Sequence, residues 1–101
     1  MIAQKQFASD LNLVLEEVRA LLIAKNRKYG DSALNPRRIF SKQDAVEQIK
    51  VRLDDKLTRM ANQQTDEDED VELDMLGYLL ILRIAKARRV LELRNQPKET
   101  L

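Results

Sequence analysis

Val71-Glu72-Leu73-Asp74-Met75-Leu76-Gly77-Tyr78-Leu79-Leu80-Ile81-Leu82 decides how this chain is read. The stretch is almost wholly apolar, and a helix apolar on nearly every side is a buried helix. Asp74 stands inside it. An ionised carboxylate in such surroundings costs on the order of several kcal/mol unless a partner neutralises it. That partner is either a metal ion or the cation of a buried Lys or Arg pair. Asp70 lies one turn earlier on the same face, and Gly77, three residues later, leaves that face without a side chain. A second acidic pair, Asp54-Asp55, lies in the other strongly helical run, Val51-Arg52-Leu53-Asp54-Asp55-Lys56-Leu57-Thr58-Arg59. Two helices that point carboxylates at each other make the skeleton of a magnesium site.

Composition narrows the chemistry. A chain of 101 residues is one domain, and a modest one for burying its own core. With no Cys, disulfides, thiolate nucleophiles and thiolate zinc sites are excluded. With no His, the commonest general base and the commonest transition-metal ligand are gone as well. Any metal must then be hard and oxygen-ligated: Mg²⁺, Mn²⁺ or Ca²⁺. The net charge of +1 argues neither for nor against a nucleic-acid partner, and no direct nucleic-acid binding is expected. The charge is unevenly spread. Residues 66–74 carry acids and no base, whereas Arg83, Lys86, Arg88, Arg89, Arg94 and Lys98 face a lone Glu92. The start, Met1-Ile2-Ala3-Gln4-Lys5-Gln6, lacks the basic and apolar regions of a signal peptide, and no apolar run is long enough for a bilayer. A soluble, cytoplasmic protein with no membrane partner is expected.

The pattern predicts an all-α fold of three helices. The first covers about 3–28, with Phe7, Leu11, Val14, Leu15, Val18, Leu21, Leu22 and Ala24 at helical spacing and Gly30 placed as a left-handed cap. A loop over 30–41 is broken by Pro36. Ser41, followed by Asp44, reads as the N-cap of a second helix over about 42–62, whose buried stripe is Val46, Ile49, Leu53, Leu57 and Met60. Thr65 is a candidate cap for a third helix over about 67–94. Its first turn would take the acids at 66–70, where negative charge suits the helix dipole. This helix has more apolar surface than two partners of this size cover. A homodimer or higher homo-oligomer completing a four-helix-type bundle is the simplest remedy.

Candidate site residues fall in two groups. With Leu53 as the centre of the stripe, Asp54 falls at its edge and Asp55 nearer the opposite pole, so one of them can face a neighbouring helix. Equally, both can be solvated and paired with Lys50, Lys56 or Arg59 at helical spacing. Arg52, Lys56 and Arg59 interleave cations with these carboxylates, which suits a metal-bridged polyphosphate and also an ordinary salt-bridged helix. The second group is Lys25-Asn26-Arg27-Lys28-Tyr29-Gly30-Asp31-Ser32. There Lys25 and Lys28 can hold phosphate and Tyr29 can stack a base. The same residues also fit a basic helix C-terminus with a tyrosine covering the core.

These three blocks, with Glu69-Asp70-Val71-Glu72-Leu73-Asp74-Met75-Leu76-Gly77-Tyr78 closing the series, resemble small phage and prophage proteins of the nucleotide-modification-associated domain-1 type. Those in turn look like members of the MazG-like all-α nucleotide pyrophosphohydrolase superfamily. The resemblance covers about residues 15–82. It implies a helical, oligomeric nucleotide-binding protein in which acids on two helices hold Mg²⁺ (or Mn²⁺) against a nucleoside triphosphate, and water releases pyrophosphate and a monophosphate. Glu69, Asp70 and Asp74 stand at the later acidic motif, spaced four apart from Asp70 to Asp74 where the superfamily has three. Asp54 and Asp55 stand near the earlier one, usually two glutamates three apart. Glu16-Glu17 is a further acidic pair, and Arg19 and Ala20 break the usual pattern after it.

On this resemblance Asp54, Asp55, Asp70 and Asp74 are the metal candidates, with Asp55 and Asp74 catalytic. Lys25, Lys28, Tyr29, Arg52, Lys56 and Arg59 are the nucleotide-binding candidates. Two rival expectations stand beside the hydrolase. One is a non-catalytic nucleotide binder, for example a phage sponge for a cyclic or ADP-ribose-type immune signal in the host cytoplasm. The other is a structural adaptor, in which Asp74 is a buried ion pair and nothing more.

Overall fold

The computed structural model describes residues 1–36, 40–63 and 70–95, and these contain three α-helices and no strand. The chain divides into two compact units, Met1–Ser32 and Ala33–Leu101.

The first unit is helix α1, Ile2–Tyr29, and its cap. Arg27 and Lys28 occupy the last turn, where the helix dipole favours positive charge. Termination is abrupt and has a backbone cause. Gly30 adopts φ 62° and ψ 40°, and Asp31 follows with φ 62°. The amides of both residues donate to the Asn26 carbonyl, that of Asp31 at 3.1 Å, which joins the 5→1 bond of an αL cap to the 6→1 bond of a Schellman end. The Asn26 side chain adds a 2.6 Å bond from Nδ2 to Asp31 Oδ1. The expected helix and its glycine cap are both present, with one residue more at each end.

The second unit is built on α2, Ala45–Ala61, and α3, Val71–Asn95. Contacts between them run in opposite senses along the two helices. Asp44 meets Arg89, Arg52 meets Tyr78 and Lys56 meets Asp74, so the helices are antiparallel. Val46, Ile49, Leu53 and Ala85 form the buried cluster, with Leu34, Met75, Tyr78, Ile81 and Leu82 packed against it. Burial of each Val, Ile or Leu here stabilises the pair by about 1.5–3 kcal/mol.

Three expectations need correction. The second helix starts at Ala45, not at 42, because Asp44 and not Ser41 is its N-cap. The Asp44 carboxylate accepts from the Glu47 amide at 2.9 Å, while the Ser41 hydroxyl accepts from the Gln43 amide at 3.3 Å and so closes only a local turn. The third helix starts at Val71, not at 67. Asp70 lies just outside it as the cap, its carboxylate accepting from the Leu73 amide at 2.9 Å. Thr65 and the acids at 66–69 lie outside the described residues. The buried stripe of α2 stops at Leu53, for Leu57 and Met60 are 52% and 40% exposed. The pairing of Lys56 with Asp74 brings Met60 level with Asp70, where α3 begins, so α3 offers it no further wall.

α3 is covered on one face alone within its unit. Met75, Tyr78, Ile81, Leu82 and Ala85 face α2, while Leu76, Leu80 and Ile84, four residues apart on the opposite side, are exposed. The buried helix expected from its composition is therefore, in the single chain, half covered.

Candidate functional site on the α2–α3 face

Asp74 finds a cation. Lys56 Nζ lies 3.4 Å from Asp74 Oδ2, and the two side chains keep only 14% and 19% of their exposure. Neither is fully buried, and each reaches its partner from the edge of the apolar seam. The positions follow from helical geometry. Lys56 lies three residues past Leu53 on the flank of the core stripe, and Asp74 is adjacent to Met75 on the flank of the α3 face. Between the two helices, where solvent screening is reduced, the attraction within such a pair exceeds that of a surface bridge, and the cost of desolvating both charges offsets part of it.

A second cross-helix contact lies one turn along. The Arg52 guanidinium carbon stands 5.9 Å from the centroid of the Tyr78 ring. Arg52 and Lys56 are four apart on α2, and Tyr78 and Asp74 are four apart on α3, so the two contacts are successive rungs. Arg59 continues the cationic side of α2 and is held by Asp55, with Nε 3.3 Å from Oδ2. Arg52, Asp55, Lys56 and Arg59 thus share one side of α2, the mixed-charge surface that the spacing implies.

The four acids are not gathered. Asp54 and Asp55 are both exposed, Asp54 with its carbonyl accepting from the Thr58 hydroxyl at 2.9 Å and Asp55 with its carboxylate turned to Arg59. Asp70 spends Oδ1 on its own helix and passes its carbonyl to the Asp74 amide at 3.0 Å. Among the described residues no three acidic side chains form a group that could hold a metal ion.

Lys25, Lys28 and Tyr29 belong to the first unit, at the end of α1. Lys28 Nζ stands 5.4 Å from the Tyr29 ring centroid, and Tyr29 is 59% exposed, so this aromatic is open to solvent. Both cation–ring contacts are of the kind worth about 0.5–1 kcal/mol at exposed sites. Tyr78 is the site residue that spacing arguments passed over. Its helical offset of four from Asp74 was the available signal, hidden because the residue looks like core.

No helix among the described residues is long and apolar enough to cross a membrane. Compared with protein-family models, with curated proteins and with solved structures, the chain has no match in any of the three.

Proposed function

We propose that this chain is a nucleotide-binding protein of the MazG-like, phage-associated kind, and that the polar face of α2–α3 takes a nucleoside polyphosphate. The observation that supports this reading most is the pair of adjacent rungs, Arg52 over Tyr78 and Lys56 against Asp74, with Arg59 beyond them. Cations spaced along one rigid helix suit an extended, negatively charged ligand, and their ring and carboxylate partners hold them in place before a ligand arrives. Lys25, Lys28 and Tyr29, in the first unit, are nucleotide-binding candidates in their own right.

The activity we assign is Mg²⁺-dependent hydrolysis of a nucleoside triphosphate to monophosphate and pyrophosphate. Mg²⁺, when bound, supplies charge neutralisation and an activated water, and Asp54, Asp55, Asp70 and Asp74 are the acids proposed for it. Lys56 and Arg59 stabilise negative charge developing on the phosphates. No covalent nucleophile is needed, which suits a chain without Cys or His.

A second reading, a nucleotide binder without chemistry such as a sponge for a cyclic or ADP-ribose-type signal, draws on one specific observation. Asp74 is already joined to Lys56, and the acids do not converge. Mass-resolved incubation with mixed nucleoside triphosphates and cyclic nucleotides, with and without Mg²⁺, separates the two. Monophosphate and pyrophosphate formed only with Mg²⁺ establish the hydrolase. An intact nucleotide bound without Mg²⁺ and left unchanged with it establishes the binder.

The assembly proposed with this function is a homodimer or higher homo-oligomer. Leu76, Leu80 and Ile84 present a second apolar face on α3, the surface that completion of a four-helix bundle between copies would cover. Light-scattering mass measurement tests this; a monomer at micromolar concentration would remove the assembly.

A further inference from the structure

Tyr78 lies one turn beyond the Lys56–Asp74 bridge, and its ring has a fixed seat. It packs against the Val46, Ile49, Leu53 and Ala85 cluster, and the Arg52 guanidinium stands 5.9 Å from its centroid. Arg52 itself is exposed, so the guanidinium is reachable from solvent while the ring beneath restrains it. A planar guanidinium beside a seated aromatic ring differs from a lysine on a flexible stem. It offers a delocalised plane on which a base can stack as readily as on an aromatic side chain. The next rung is an ammonium with a carboxylate, chemistry for a charged group and not for a base. The two rungs therefore divide into a stacking end and a charged end along one edge of the α2–α3 pair.

We propose that Arg52, supported by Tyr78, is the shelf on which the ligand's base stacks, with Lys56 marking the phosphate end of the same site. This rests on the nucleotide-binding reading and deepens it. Arg52 becomes a base contact and not a phosphate contact, and Tyr78 gains a positioning role through it. Tyr29, which carries its own cation contact at 5.4 Å, is the competing aromatic.

The test is isothermal titration of the full chain, in buffers with and without Mg²⁺, with a set of non-hydrolysable nucleoside triphosphate analogues and separately with inorganic tripolyphosphate. The variants are Arg52→Lys, which keeps the charge and loses the plane, Tyr78→Leu, which keeps the apolar packing and loses the ring, and Tyr29→Leu. The expected result is a loss of nucleoside triphosphate affinity on the order of tenfold for Arg52→Lys and Tyr78→Leu, the scale of a lost base stack, with tripolyphosphate binding unchanged. Arg52 is exposed, so its variant tests the shelf even where Tyr78→Leu disturbs the core. Parallel losses for both ligands would make Arg52 a phosphate contact and overturn the shelf. So would no loss, or a selective loss in Tyr29→Leu alone. If the unmodified protein binds neither ligand, the nucleotide reading has failed and the shelf goes with it.

Discussion

Lys56 Nζ and Asp74 Oδ2 stand 3.4 Å apart across the seam between α2 and α3, on residues eighteen positions apart in the chain. The contact gives Asp74, the acid within the apolar run, a cation, and it places a candidate phosphate ligand on a candidate catalytic carboxylate. Structural and functional roles of Asp74 therefore make different predictions for the same substitutions.

Asp74→Ala is expected to abolish Mg²⁺-dependent turnover while leaving the helical circular dichroism signal mostly intact. Thermal unfolding of Lys56→Ala, Asp74→Ala and the double variant should give a coupling of about 0.5–3 kcal/mol, the range for residues in direct contact. Loss of the helical signal together with activity would count for a purely structural Asp74.

Lys28→Ala should weaken nucleotide binding under either functional reading, since its ammonium sits beside the exposed Tyr29 ring. An affinity equal to that of the unmodified chain removes the end of α1 from the site.

Asp44→Ala should lower stability by about 1 kcal/mol through loss of the cap on the Glu47 amide. The exposed Arg89 bridge, at 3.7 Å, adds little. Ser41→Ala should change the midpoint of denaturant unfolding hardly at all. The reverse order would return the start of α2 to 42.

Leu53→Ala, in the buried cluster, should cost about 2–5 kcal/mol, whereas Leu57→Ala, half exposed, should cost well under that. Equal costs, read by denaturant titration, would mean that Leu57 is covered in solution by something beyond this chain's own α2–α3 packing.

Gly30→Ala should destabilise α1 by about 1 kcal/mol, read as a lower melting temperature. The site is open, with nothing within 4 Å of an added Cβ, so the whole penalty comes from φ 62°.

Much of the fold could be read from local signals. Gly30 ends α1 because a left-handed residue is needed there and the glycine backbone adopts it freely, a property that no packing has to supply. Val46, Ile49 and Leu53 mark the inner face of α2 by spacing alone. Local signals ran out where two candidates of the same type competed. Ser41 and Asp44 are both good N-caps, and Asp44 caps because the turn that docks Val46 onto α3 is the one that begins at Ala45. Leu57 and Met60 continue the apolar spacing faithfully, yet both are exposed, Met60 because α3 begins level with it and goes no further.

The candidate site divides along the same line. The sequence by itself determined that Asp74 needs a partner, since the cost of desolvating a carboxylate among leucines is a property of the residue and its neighbours. It also determined that Arg52, Lys56 and Arg59 share one side of a helix, which follows from their spacing. Only the tertiary structure decided that Lys56 is that partner, that Arg52 lies over Tyr78, and that Asp54, Asp55 and Asp70 turn elsewhere. These depend on the register between two antiparallel helices. That register is set by how Ile49, Leu53, Ile81 and Ala85 fit together in the core, and no local periodicity encodes it.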